Sequence, residues 1–119
     1  MYGLPENFDG SFLIGRNLEM ICFNANQIYL HFDGQVTITI EGTFSHQHAQ
    51  SESDTAVISV PVSQSDLMQL LEHQISAISG DKDGTLTLVF DDGQILRCYD
   101  QFPDYESYQI RHDDKVIIV

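Results

Sequence analysis

The strongest constraint on this chain is a two-residue alternation of apolar side chains on either side of Asp-Gly turns. Val36, Ile38 and Ile40 interleave with Gln35, Thr37, Thr39 and Glu41, preceded by Ile28, Leu30 and Phe32 and by Leu18, Met20 and Cys22. Successive strand residues point to opposite faces, so 18–41 is expected to form a three-stranded meander with one apolar face. The turn at Phe32-Asp33-Gly34 sets the register. A two-residue Asp-Gly turn pairs Leu30 with Thr37 and sends the apolar sets to opposite faces. A three-residue loop with Gly34 left-handed pairs His31 with Gln35, Leu30 with Val36 and Ile28 with Ile38. Only that loop buries both sets together, and it is the one expected.

The pattern returns at 85–99, where Leu86, Leu88 and Phe90 lead through Asp91-Asp92-Gly93 to Ile95–Tyr99. With those three residues as the loop, Leu88 faces Leu96 and Leu86 faces Cys98. Internal duplication and shared hairpin chemistry both account for the likeness of the two turns. Between them lie a polar loop, 42–55, and a strand from Ala56 to Val62. A short helix is expected over 63–73, capped by Ser63 or Ser65, with Asp66 at its positive end and Leu67, Leu70 and Leu71 as its apolar stripe. Ile75 to Ser79 reads as a strand entering the turn 80–84. Tyr105 to Arg111 and Val116 to Val119 read as strands separated by a turn at Asp113-Asp114. The expected fold is therefore α+β and mostly antiparallel, with two meanders, about eight strands and one short helix. It forms a single domain over 1–119: an N-terminal segment 1–17, a first meander 18–41, the helix 63–73 and a second meander 75–119.

Charge excludes several partners. With 18 acidic residues against 5 basic, the net charge is −13, which repels nucleic acid and anionic membrane but steers a basic protein inward. A generic solubilising coat is the plainer reading of the same excess. No apolar run reaches the roughly 20 residues of a membrane span, and the start Met1-Tyr2-Gly3-Leu4-Pro5-Glu6 lacks the basic flank and apolar centre of a signal peptide. The expected location is the cytoplasm. Cys22 and Cys98 lie far apart, each within a strand, and are expected to be reduced, buried thiols; neither belongs to a Cys-x-x-Cys unit.

No nucleophile elbow, phosphate-binding glycine loop, His-Glu-x-x-His helix or calcium loop is present, so no catalytic residue and no cofactor are expected. His46 and His48, two apart and followed by Glu52 and Asp54, could hold a metal if that stretch were a strand, but its polar, Ser-rich character reads as a solvated, mobile loop. Asp91-Asp92 and Asp113-Asp114 sit in turns where neighbouring carboxylates diverge, unlike the facing pair of a glycosidase. What remains is surface. Asp81, Asp83, Asp91, Asp92, Asp104 and Glu106 are interleaved with Tyr99, Phe102 and Tyr105, a mixture suited to recognising a basic protein, because rings supply contact area and acids supply steering. Tyr108 shares a face with Ile110 and is assigned to the core.

Four stretches, Leu13-Ile14-Gly15-Arg16-Asn17-Leu18, Gln27–Phe32, Leu86–Gly93 and Tyr105-Glu106-Ser107-Tyr108-Gln109-Ile110, resemble a family of small, uncharacterised bacterial β-rich proteins, with Tyr108 standing where relatives often carry Trp. That family assigns no catalytic residues. Similar small acidic proteins serve as immunity partners of polymorphic or contact-dependent toxins. The resemblance implies a binding role; together with the acidic surface it gives the expectation of an immunity-type protein, monomeric before binding, that neutralises a basic toxin such as a nuclease by covering its active site. Two other readings stand beside it: an accessory domain that self-associates through the exposed edge Val116–Val119, and a metal-binding protein using His46 and His48.

Overall fold

The computed structural model describes residues 4–5, 8–48, 58–60, 65–100 and 106–119. Two five-stranded antiparallel sheets face each other across one core. Sheet A has the order β1-β2-β3-β9-β10, from β1 (Leu18–Phe23), β2 (Ile28–Phe32), β3 (Val36–Ile40), β9 (Tyr108–His112) and β10 (Lys115–Ile118). Sheet B has the order β5-β4-β8-β7-β6, from β4 (Thr43–Gln47), β5 (Ile58–Ser59), β6 (Ile75–Gly80), β7 (Leu86–Phe90) and β8 (Ile95–Cys98). Inward residues such as Leu30, Ile38, Ile110, Leu88 and Leu96 interdigitate, while short 3₁₀ turns at Ser11–Leu13 and Leu67–Leu70 add Leu13, Leu67 and Leu70 to the core.

The expected α+β class is corrected to all-β. Among the described residues of 63–73, only Leu67–Leu70 is helical, as a single 3₁₀ turn with the Ser65 hydroxyl accepting from the Leu67 amide. The backbone beyond it belongs to the sheets. Leu71 is extended and Glu72 left-handed (φ 67°), so Glu72 N–H donates to Leu18 O (2.8 Å), Ile75 N–H donates to Arg16 O (3.1 Å), and His73 O accepts from Leu18 N–H (3.1 Å). Continuing the helix would forfeit those bonds for a segment too short to be helical alone.

Three local expectations are also corrected. The β2–β3 loop has three residues, but they are Asp33-Gly34-Gln35, so Phe32 pairs with Val36, Leu30 with Ile38 and Ile28 with Ile40. Gly34 is left-handed as expected, and Gln35 joins it (φ 62°). That strain of about 1 kcal/mol is outweighed by keeping Phe32 buried against Val36, worth about 2 kcal/mol. The alternation expected for β1 breaks at a bulge between Leu18 and Met20. Leu18 and Ile21 then face inward, Met20 is 53% exposed, and Cys22 is half-buried rather than buried. The stretch Thr43–Gln47 is a strand with Thr43, Phe44, Ser45 and His46 buried, rather than part of a loop; residues 49–57 lie outside the described residues. By contrast, the β7–β8 hairpin has the expected register, with Leu88 opposite Leu96 and Leu86 opposite Cys98. Tyr108 and Cys98 are core residues, as assigned.

The two sheets have the same plan. β1, β2, β3, β4 and β5 correspond in order to β6, β7, β8, β9 and β10, and each half lends its last two strands to the other half's sheet. The bulge in β1 has its counterpart between Ile75 and Ala77 in β6. At the centre Asn17 bridges Gln74, and the surrounding bonds exchange under interchange of the halves. Gly15 N–H to Ile75 O matches Glu72 N–H to Leu18 O, and Asn17 N–H to the Asp33 carboxylate matches Gln74 N–H to the Asp91 carboxylate. This pseudo-twofold arrangement favours duplication over coincident turn chemistry. Replacing Ile38, fully buried, with Ala should cost roughly 2–5 kcal/mol in denaturant unfolding, whereas Met20→Ala should stay within about 0.5 kcal/mol; a large loss at Met20 would refute the bulge.

Candidate functional site

β7 runs from the turn holding Asp81 and Asp83 to the turn holding Asp91 and Asp92, so the acidic residues singled out above separate to opposite ends of the sandwich, roughly 20 Å apart at strand rise. At one end, where the chain crosses between sheets after β3 and after β8, lie Glu41, Asp81, Asp83, Asp100 and Glu106, with Lys82. The backbone N–H of Thr85 holds the Asp83 carboxyl below its usual range. The Asp100 carboxylate accepts from Ser107 Oγ (3.1 Å), while the Gln109 amide donates to both Glu41 (2.7 Å) and Glu106 (3.2 Å). Under this end the buried Tyr108 hydroxyl donates to Gly84 O at 2.6 Å. Burial, with Cys98, Asp100 and Asp83 adding to it, pushes its ionisation up. Tyr99 is half-buried and its hydroxyl is bonded to Ser45 Oγ (2.8 Å). Phe102, Asp104 and Tyr105 lie outside the described residues.

At the other end, beside the Asn17–Gln74 bridge, Asp91 and Asp92 meet His73, which sequence spacing did not connect to them, and Gln94 links Asp92 to His46. His73 Nδ1 lies 2.7 Å from Asp91 Oδ1, and its Nε2 lies 3.5 Å from Asp92 Oδ2. The Gln94 side-chain amide donates to Asp92 Oδ2 (2.6 Å) and to Gln69 O (3.0 Å). Gln94 Oε1 is therefore left to accept from His46 Nε2, 2.7 Å away, which assigns the proton to that nitrogen. His46 stacks on His48 with centroids 4.4 Å apart, and His48 Nε2 faces Asp66 Oδ2 at 3.2 Å. The two imidazoles weighed as metal ligands and set aside thus lie face to face, each engaged with a different partner. His46 and Gln94 are nearly inaccessible.

The pseudo-twofold shows how unusual this corner is. His46 pairs with Leu96 where, in the other half, Ile110 pairs with Ile38. Gln94 faces Phe90 where Val36 faces Phe32. His73 and Asp92 stand where Arg16 and Gly34 stand. Two buried apolar residues of one half are therefore replaced by a hydrogen-bonded His-Gln pair in the other. A buried polar pair is tolerated in a core only where its donors and acceptors are matched, and here no buried side-chain nitrogen or oxygen among the described residues lacks a partner. Alternation alone could not reveal it, because His46 looks polar in sequence and its burial depends on β8 and the Leu67–Leu70 turn.

The electrostatics follow from this geometry. Desolvation holds the His46 imidazole below the usual histidine range despite the opposing bond to Gln94, and the facing His48 adds to the depression. The His73 hydrogen bond, followed by the Gln74 amide, lowers Asp91. Partial burial works to raise Asp92, but the two Gln94 donors and His73 outweigh it. Because the folded pKa of His46 lies below its unfolded value, the unfolded chain takes up the proton first. The contribution of neutral His46 is intact above about pH 6.5 and is lost as pH falls through the folded value. Thermal melts should therefore fall between pH 7.5 and 5, above the range where the aspartates titrate. His46→Ile combined with Gln94→Val, the residues of the other half, should reduce that fall; an undiminished fall in the double variant would remove His46 as its source.

Burial pushes the Cys98 thiol up to about 12, and both cysteines are free. A thiol reagent at pH 8 should modify Cys22 readily and Cys98 only on unfolding; equal native rates would contradict the core placement of Cys98.

Comparison with known proteins finds a family model that matches residues 11–119, described as a family of unknown function. No curated protein and no solved structure matches the chain. The family's description carries no activity and no residue roles, so the match conveys membership alone. The chain belongs to the family of unknown function DUF6188.

Proposed function

We propose that this protein is an immunity-type binding protein that engages a basic toxin domain through the crossover end of the sandwich and covers its active site. The supporting observation is the convergence there of Glu41, Asp81, Asp83, Asp100 and Glu106 from three separate stretches of chain, against Lys82 in the same turn as Asp81 and Asp83. The cluster belongs to a molecule whose net charge is −13. Carboxylates set on turns between rigid strands keep their geometry as a partner approaches, so attraction is not offset by ordering them. A cationic cleft, such as that of a nuclease, is the complementary surface. Among the described residues, no helix is long and apolar enough to cross a membrane.

Stopped-flow association with a basic toxin domain encoded beside the gene tests this reading. The rate should fall about 10- to 100-fold between 50 mM and 500 mM salt, as screening shortens the field. Asp81→Asn with Asp83→Asn and Asp100→Asn should slow it in low salt, more than Asp91→Asn with Asp92→Asn. A salt-independent rate rejects steering, and failure of every such domain to bind rejects the proposal. The competing reading, self-association, draws on β10, an outer strand of sheet A in which Val116 is 40% and Ile118 37% exposed. A monomer in sedimentation at micromolar concentration would remove it.

A further inference from the structure

We propose that His73, Asp91 and Asp92 form a binding site for a divalent transition-metal cation, held in place from beneath by Gln94 and His46. One imidazole nitrogen and one oxygen from each carboxylate lie within 4.8 Å of one another, the spacing that three ligands of one ion require, since donors about 2.1 Å from a metal sit about 3–4 Å apart. A mixed set of one nitrogen and two oxygens suits zinc, cobalt or manganese better than calcium or copper(I). Three protein ligands on an exposed turn leave further positions for water or for a group from a partner.

Two features outside the ligands point the same way. The first is the half that lacks the site. Arg16 occupies the place equivalent to His73, and its guanidinium lies over the turn containing Asp33, so close to Gly34 that a side chain there would meet Nη1 at 1.8 Å. That turn carries its own fixed cation. In the second half the Gly34 position is Asp92, so the turn has gained a carboxylate, and the Arg16 position is His73, whose two ring nitrogens face Asp91 and Asp92. Among the described residues, no Lys or Arg pairs with Asp91 or Asp92. The place that one half fills with a guanidinium holds an imidazole and a second carboxylate in the other.

The second feature is the support. Metal-binding carboxylates are commonly held by outer donors that fix their direction. Asp91 Oδ2 accepts from the Gln74 amide (3.2 Å), leaving Oδ1 to face His73. Asp92 accepts from Gln94 twice, through the backbone at 3.1 Å and the side chain at 2.6 Å. His46 in turn fixes the orientation of the Gln94 side chain. The replacement of two apolar core positions by Gln94 and His46 thereby acquires a purpose: it aims Asp92 at His73.

The test is titration of the untagged, chelator-treated full chain with Zn2+ by calorimetry, repeated with Co2+ and read by visible absorption. Wild type should bind one equivalent in the micromolar range. His73→Ala and Asp92→Asn should each weaken binding at least about 10-fold, and Gln94→Val should weaken it by about 10- to 100-fold, as loss of an outer partner does. His48→Ala should leave affinity unchanged. Melting curves of the metal-free variants identify any that fail to fold, and Asp92→Asn, which preserves shape, carries the result if His73→Ala is lost. Absence of binding below millimolar Zn2+, equal affinity in Asp92→Asn, or loss of binding in His48→Ala would each overturn the assignment.

Discussion

The exchange of strands between the two halves is the constraint on which the remaining structure rests. A three-stranded meander buries one face but leaves its third strand with unpaired backbone donors and acceptors. In sheet A that edge, β3, is closed by β9; in sheet B the edge of β8 is closed by β4. Neither half supplies its own closure, so each sheet is complete only when the other half is present. The Asn17–Gln74 bridge and its reciprocal backbone bonds tie the two together at the point where the halves meet. The same bonds draw the backbone around Glu72 into the sheets and limit the Leu67–Leu70 turn to one turn.

Repetition of the plan gives departures from it meaning. Inward-facing paired positions are mostly alike, as in Phe32 and Phe90, Leu18 and Ile75, Leu30 and Leu88, Leu13 and Leu70, while outward ones such as Glu19 and Ser76 or Thr39 and Arg97 differ freely. Two core positions change from apolar to polar, His46 and Gln94, and they adjoin Asp92 and His73. Both are buried and hydrogen-bonded in series toward an exposed carboxylate, which is the arrangement of a supported site rather than of a relaxed surface. The opposite end of the sandwich is built differently, from turn carboxylates whose partners are backbone amides, hydroxyls and glutamine side chains. One end thus presents charge over a broad area, and the other concentrates ligating groups on a single turn.

Much of the fold was legible in the chain. Period-two alternation located β2, β3, β7 and β8, and Gly93 fixed the second hairpin because its loop had one arrangement that buried both flanks. The first hairpin was placed two residues off in pairing because Gln35 takes a left-handed conformation that its residue type does not announce. The helix was over-read because the Leu67, Leu70 and Leu71 spacing fits a helix as well as a one-turn plug. β4 was missed because Ser45, His46 and Gln47 carry no apolar signal. The candidate site was legible only in fragments: Asp91-Asp92 as acids on a turn and His46/His48 as possible ligands. His73 and Gln94 gave no sign of belonging to either, since they join Asp92 through pairing of strands distant in sequence.

The sequence by itself determined the strand-forming segments, the inward faces of the central strands, the dominance of negative charge and the lack of familiar catalytic motifs. These depend on neighbouring residues and on sums over the chain, which composition and periodicity record directly. Tertiary structure alone decided which half closes which sheet, the burial of His46 and Gln94, and the separation of the acidic residues into two ends. Each of those depends on which distant backbone satisfies an edge strand's hydrogen bonds, and that choice is made across the core rather than along the chain.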